Sequence, residues 1–451
     1  MPRTDIYIPI EIKHRELYAK VLLAARAVRK GFTVTLGRKS ELNTLVLRMP
    51  PGVYYGLGTV RNFAGLFGEI SRLGHLIVVS DEEGLVTHSD DMYLDLKVSA
   101  ETLKKVDLLF AWGTDNSNVI AAGRPESAAK LRITGNPRFD LLQEPHRRIY
   151  DAEVAAIRRR YPKYVLVCTS FGSCNHYIQG LDYVESLVEK KVLTSQASID
   201  NYRRFQRVKM DAWRAFLDAI PLLAERYQDT QIVVRPHPSE DATPYHALAD
   251  AHANVSVEGG MSIHPWLLGA RAVVHHYCTS AVETFAAGTP GFALRPTSDP
   301  AVEKEIPYLS SRICQSPAAA AEMLRDTLRD PPSLPVRSRV PCAYADYVKN
   351  IDRPTAADQI VDEIHAAVSA ARNTVDSGGV VNAPRGRGPI ARALRRAASV
   401  VVPSRRVTER YLSHKFDGIT TQEVQDILSV LAPGESARCE ALDDNVVCIR
   451  A

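Results

Sequence analysis

The sequence predicts an α/β protein of two consecutive domains, each with its own parallel sheet, facing each other across a cleft. Three observations carry that prediction. Short β-branched runs alternate with helical stretches from Asp5 to Ala371, the strands fall into two series divided by a charged stretch, and several are nearly continuous in apolar residues. Alternation of this kind builds βαβ units, and continuous apolar strands belong in sheets covered on both faces. A length of 451 residues accommodates two domains of ordinary size and a further segment.

In the first series, strands are expected at Asp5–Ile10, Phe32–Leu36, Val53–Leu57, Leu76–Ser80, Leu108–Trp112 and Leu131–Thr134. Between the first two, Arg15–Lys30 places Leu17, Val21, Leu22, Ala25 and Val28 on one helical face, and Gly31 stops it. The charged stretch Glu144–Arg160 reads as the connection between domains. The second series is Tyr164–Thr169, Gln231–Val234, Asn254–Val257, Ala272–His275 and Gly291–Leu294, with a long helix over Asp200–Tyr227 and a closing one over Ala356–Ala371. The expected domains are 1–145 and 160–372, followed by a linker and basic tail over 373–451. Ligands of open α/β sheets sit outside the carboxyl ends of strands, so residues just after strands are the candidates for function.

Composition narrows the class. An apolar share of 45% and a charged share of 24% exclude wholesale disorder and collagen-like structure. No window approaches the roughly 18 apolar residues of a membrane span, and the N-terminus lacks the layout of a secretory signal. Seven cysteines, an odd number without a C-x-x-C pair, point away from a disulfide framework or zinc site and toward reduced thiols in the cytoplasm. The net charge of +4 is too small for a protein that coats nucleic acid. Basic residues do gather late: Arg385, Arg387, Arg392, Arg395, Arg396, Arg405 and Arg406, interleaved with Ile390, Leu394 and Val400–Val402, follow the Gly- and Pro-bearing linker Val375–Gly388. They read either as a solvated basic face or as a weak anchor for anionic headgroups on the inner face of a membrane.

Three constellations carry chemistry. Asp81-Glu82-Glu83-Gly84 closes a strand with three consecutive carboxylates, whose crowding is expected to raise at least one pKa and so supply a general base. Arg235-Pro236-His237-Pro238 sets a guanidinium beside a proline-bracketed imidazole, a stiff turn suited to an anion such as phosphate. His275-His276-Tyr277-Cys278-Thr279-Ser280 leads into a helix ended by Gly288, with Thr279 or Ser280 as N-cap and free first-turn N–H groups for an anion. Glu283 on that first turn complements the helix dipole or accepts from a ribose diol. Thr169-Ser170-Phe171-Gly172-Ser173 has the small, donor-rich character of a phosphate-facing turn. Asn136 and Arg138, in Thr134–Asp140, read as a structured turn at the domain junction or as cleft residues. His275 and His276 point to opposite faces of a strand, so no metal is expected there. Tyr55-Gly56-Leu57-Gly58 is not a dinucleotide fingerprint, and the P-loop and nucleophile-elbow patterns are absent.

The set Glu82-Glu83-Gly84, His237-Pro238 and Thr279-Ser280, in this order, resembles the motifs of bacterial sialyltransferases and related CMP-sugar transferases. The runs T-G-N-P-R-F-D, R-P-H-P and A-G-T-P are similar to surface-carbohydrate biosynthesis proteins and, more distantly, to Kdo and glycerophosphate transferases. The resemblance implies a GT-B fold of two Rossmann-like domains. It also implies transfer of a 2-keto-3-deoxy acid sugar (Kdo or nonulosonic, sialic type) from a CMP-activated donor to a glycan or lipid-linked glycan acceptor. Glu82 would be the base, with Glu83 or Asp81 as substitutes. His237, with Arg235 and Pro238, would serve the departing CMP, while Thr279, Ser280, Ser170, Gly172 and His276 would line the donor side and Glu283 would hold the ribose. No cofactor or metal is implied. Asp81 departs from the family's two-carboxylate pattern. A sugar-nucleotide 2-epimerase, a CDP-glycerol glycerophosphotransferase and a non-catalytic nucleotide-sugar module are the competing expectations.

Overall fold

The structure, a computed structural model, describes residues 5–329, 344–376 and 416–451. The first series of strands forms β1 (Asp5–Ile10), β2 (Thr33–Arg38), β3 (Val53–Gly56), β4 (Leu76–Ser80), β5 (Leu108–Ala111) and β6 (Leu131–Ile133). They pair in parallel in the order β2-β1-β3-β4-β5-β6. The second sheet holds β7 (Tyr164–Cys168), β8 (Gln231–Arg235), β9 (Val255–Val257), β10 (Ala272–His275), β11 (Gly291–Leu294) and an unexpected edge strand, β12 (Arg312–Cys314), in the order β12-β11-β10-β7-β8-β9. Strand order reverses between β1 and β3 in one sheet and between β7 and β10 in the other, and those reversals open the crevices in which such sheets bind ligands. Strands β3, β5, β7, β10 and β11 are buried along their whole length, which explains sequences that are apolar throughout except for His275 at the end of β10.

The long helix runs Gln196–Arg226, starting four residues before the expected position because Ser195 caps it, its side chain accepting from Ser198 N–H at 3.1 Å. Among the described residues no helix is long and apolar enough to cross a membrane.

The end of the chain corrects the expected domain plan. The helix Ala356–Asp376 was assigned to the second domain, yet Ala357, Ile360, Val361, Ile364 and Val368 enter the core of the first sheet. Residues 416–451 are not a tail. The helix Thr421–Leu431 buries Val424, Ile427, Leu428 and Leu431 in that same core, and β13 (Arg438–Asp443) with β14 (Val446–Arg450) extends the first sheet, β14 lying antiparallel to β2. Asn445, at φ 60°, turns the hairpin, and its carbonyl accepts from Arg38 N–H at 3.0 Å. A Cβ at Gly37 would collide with that carbonyl, so glycine is required where the hairpin docks. The basic residues Arg385 to Arg406 and most of the linker lie outside the described residues.

A chain truncated after Asp376 should therefore lose about 6 kcal/mol, taking roughly 1.5 kcal/mol for each of four buried aliphatic side chains. Urea unfolding measures it; a truncated chain as stable as the full one would show that the returning segment does not support the core.

Candidate active site

The acidic turn after β4 is held by groups that arrive from other elements. Asp81 accepts from Glu83 N–H at 3.0 Å and from Tyr93 OH at 3.2 Å, while Trp112 Nε1 donates to its carbonyl at 2.7 Å. Glu82, 7% exposed, meets the ammonium of Lys20 at 2.5 Å; Lys20 is itself 3% exposed and lies 4.4 Å from the Tyr55 ring centroid. Glu83 is bracketed by Arg15 at 3.1 Å and Lys97 at 2.6 Å. Burial pushes the Glu82 pKa up, but Lys20, Arg138 and Arg15 outweigh it and hold the carboxyl below its usual range. Lys97 foremost, with Arg15, holds Glu83 low against burial. Asp81 moves the other way, raised chiefly by burial. The expectation of one raised carboxylate thus falls on Asp81 rather than Glu82, and its main cause is desolvation, with repulsion from Glu83 a minor contribution.

Asp81, Glu82 and Glu83 line a pocket of about 270 Å³ outside the carboxyl ends of β1, β3 and β4, together with Glu11, Arg15, Lys39, Thr59 and Lys97. It sits at the reversal between β1 and β3.

In the second domain, the turns after β7, β8 and β10 are stitched together. Glu240 accepts from Thr169 Oγ1 at 2.8 Å, Tyr245 OH at 2.6 Å and His237 N–H at 3.0 Å. Ser170 Oγ donates to the Tyr277 carbonyl at 3.2 Å. A Cβ at Gly172 would strike Ser239 Oγ, so glycine permits the β7 and β8 turns to touch. His237 and Pro238 are exposed. Nδ1 of His237 accepts from Ser239 N–H at 3.2 Å, which assigns the proton of the neutral ring to Nε2. Arg235 donates through Nη2 to the carbonyls of Gly260 and Met261 at 2.7 and 3.2 Å and stacks on Trp266, while its buried Nη1 has no partner.

Several expected donor residues are engaged otherwise. His276 is fully buried, stacked on Phe171 with Nδ1 3.1 Å from the Leu294 carbonyl, and offers no surface to a ligand. The helix Ser280–Ala287 is preceded by Thr279 in αR conformation, whose side chain does not cap it. Two first-turn donors are already used, Ala281 N–H on Cys278 at 3.2 Å and Val282 N–H on Thr279 at 3.0 Å. Asn136 caps its own turn by accepting from Arg138 N–H at 3.0 Å. Glu283 is not placed for a ribose. It is buried, ion-paired with Arg138 and 3.2 Å from His264 Nε2, whose Nδ1 meets Tyr150 OH at 2.8 Å. Burial raises its pKa, but Arg138 and His264 overcome that and hold it at about 2.

Arg138 is the junction of the two halves. Its Nη1 donates to the Glu82 carbonyl at 3.3 Å and its Nη2 pairs with Glu283, so the acidic turn and the Ser280–Ala287 helix meet through one guanidinium. His237 does not line the pocket beside Asp81, which belongs to the first domain alone. Among the described residues no cluster of His, Cys, Asp or Glu is arranged to hold a metal ion. The sequence reading missed Lys20, Arg15 and Lys97; the signal for the first was Glu16 and Lys20, two charges four residues apart inside an otherwise apolar helix face.

No family model matches the chain, and no curated protein matches it in sequence. Its architecture is similar to that of solved structures. The wall teichoic acid polymerase TagF, solved with CDPG, superposes with a TM-score of 0.52 at 11% identity, covering 82% of this chain and 90% of that one. UDP-GlcNAc 2-epimerase from Methanocaldococcus jannaschii, solved with UDP-GlcNAc and UDP, gives 0.51 at 12% identity over 80% and 99%. At these identities the similarity establishes the fold: the chain is a GT-B protein.

Glu82→Gln should cost about 3 kcal/mol or more, because it strands a buried ammonium, and adding Lys20→Met should recover most of the loss. A urea double-mutant cycle measures this; additive losses would show that the pair is not coupled. The stabilisation from Glu82 and Glu83 should be complete above the ordinary glutamate pKa of about 4.3 and disappear as pH falls through their lowered values.

Proposed function

We propose that the chain is a glycosyltransferase that moves a 2-keto-3-deoxy acid sugar from a CMP-activated donor to a hydroxyl of a surface glycan or lipid-linked glycan, with Asp81 as general base. The observation that carries the reading is the division of labour between the two crevices. One holds a carboxylate made more basic by burial; beside the other, the turn after β8 carries the exposed His237, its neutral ring protonated at Nε2, two residues beyond the guanidinium of Arg235. The motif order Glu82-Glu83-Gly84, His237-Pro238, Thr279-Ser280 supports the CMP-sugar class of donor. Asp81 would take the acceptor proton as the acceptor oxygen bonds the anomeric carbon. The bond from that carbon to the phosphate oxygen breaks, and CMP leaves with its electron pair. His237 and Arg235 offset the charge that develops on the phosphate. Glu82 anchors Lys20 in this scheme, and Glu83 is locked by Arg15 and Lys97. The reading calls for no cofactor. A peripheral position at the inner face of a membrane, through Arg385 to Arg406, belongs to the same proposal.

A second reading is favoured by the shared fold of TagF, solved with CDPG: a glycerophosphotransferase using CDP-glycerol. Both donors expel CMP, so the mass added to the acceptor separates them. A 2-epimerase would instead scramble C2 of UDP-N-acetylglucosamine without any acceptor.

Thermal-shift measurements with CMP, CDP, UDP and GDP should show preferential stabilisation by the cytidine nucleotides. Asp81→Asn should bind CMP normally and turn over about 100-fold more slowly, while His237→Ala should lose binding and turnover together. Stabilisation by UDP alone, or full activity in Asp81→Asn, would overturn the assignment.

A further inference from the structure

The buried face of the helix Gln196–Arg226 is apolar apart from a few polar groups, Lys209 the only charged one among them. Lys209 is 3% exposed, with the Phe171 and Phe205 ring centroids 5.1 and 5.8 Å from its nitrogen. Its ammonium donates to Ser170 Oγ at 2.7 Å and to the Tyr277 carbonyl at 3.3 Å. Among the described residues, no carboxylate lies within ion-pair distance. Glu240 and Glu303 act on it only from further away, and each is engaged: Glu240 with Thr169, Tyr245 and His237, Glu303 with Arg295 and Tyr308. The other fully buried lysine, Lys20, has Glu82 beside it. An ammonium out of water without an anion is strongly disfavoured, and burial accordingly depresses the Lys209 pKa.

Its location gives the charge a purpose. Ser170 follows β7 and Tyr277 follows β10, the two strands between which the second sheet reverses its order. Lys209 therefore sits under the crevice where an α/β sheet receives its ligand. We propose that Lys209 is the built-in counter-charge of a phosphate subsite formed by the turns Thr169–Gly172 and Tyr277–Ser280, acting on the anion through Ser170. Ser170 spends its one hydroxyl proton on the Tyr277 carbonyl, a carbonyl that Lys209 also serves. When an anion arrives, the hydroxyl turns to donate to it, the carbonyl keeps the ammonium, and Lys209 polarises the hydroxyl from behind. Lys209 is thus a positioning residue. The inference rests on the second domain being the nucleotide side and adds the residue that neutralises the phosphate.

Lys209→Met keeps the side-chain bulk and removes the charge. Without added anion, this variant should melt at or above the wild-type temperature, since an unmatched buried charge is gone. By calorimetry it should bind CMP, CDP and inorganic pyrophosphate about ten-fold or more weaker, the scale of one hydrogen bond to a charged group. Ser170→Ala should show the same weakening with Lys209 in place, and it reads the subsite even if Lys209→Met fails to fold. Unchanged pyrophosphate affinity in either variant overturns the proposal, as does a Lys209→Met protein that melts lower yet binds normally. If the wild type binds cytidine nucleotides and Lys209→Met matches it, the donor reading survives and the Lys209 role does not. Pyrophosphate binding that depends on Lys209, with no nucleotide binding, gives the reverse. A wild type that binds neither sinks both.

Discussion

The buried pair of Arg138 and Glu283 is the contact on which the arrangement of the two crevices depends. Arg138 comes from the turn that ends the first sheet, Glu283 from the first turn of a helix in the second domain, and both are buried, so little water is near to weaken their attraction. Pairs of this kind add little net stability, because desolvating both charges offsets most of the Coulomb gain; removing one partner, however, is strongly destabilising. Its consequence here is geometric. The same guanidinium reaches the Glu82 carbonyl, so the acidic turn cannot shift without disturbing the helix beside the second crevice. Further links between the halves lie to one side: Ser198 to Asp95 at 2.8 Å, Lys304 to Asp90 at 2.5 Å, and the His88 ring against Phe205 and Tyr277.

The sheets were legible in the sequence because their signals are local. A buried strand such as Leu108–Ala111 announces itself by an unbroken apolar run, and the turn residues beside it mark where function can sit. The acidic turn and the proline-framed histidine were found the same way. What they do electrostatically was not legible, because it depends on Lys20, 62 residues before Glu82, and Arg15, 68 residues before Glu83. Counting three adjacent carboxylates predicts mutual repulsion; the folded chain answers it with three cations. The returning C-terminal segment failed for a related reason. The expected tail overlooks the helical spacing of Val424, Ile427, Leu428 and Leu431, and nothing local says that the hairpin after it pairs with β2.

Within the proposed mechanism, the surroundings of the three acids favour one of them as the base. A carboxylate that already faces an ammonium at hydrogen-bond distance is a weak proton acceptor, since protonating it would discard the ion pair and leave Lys20 alone in the interior. Glu82 is in that position, and Glu83 shares its charge between Arg15 and Lys97. Among the described residues Asp81 has no ion-pair partner; it accepts from Tyr93 OH and Glu83 N–H, and each of its oxygens keeps lone-pair capacity for an incoming proton. Burial raises its affinity for that proton, and it lines the pocket an acceptor hydroxyl would enter. In the proposed mechanism the two neighbours set the field of Asp81: Glu82 takes up Lys20, Glu83 takes up Arg15 and Lys97, and although the charge of Lys97 still pulls the Asp81 pKa down, burial outweighs it.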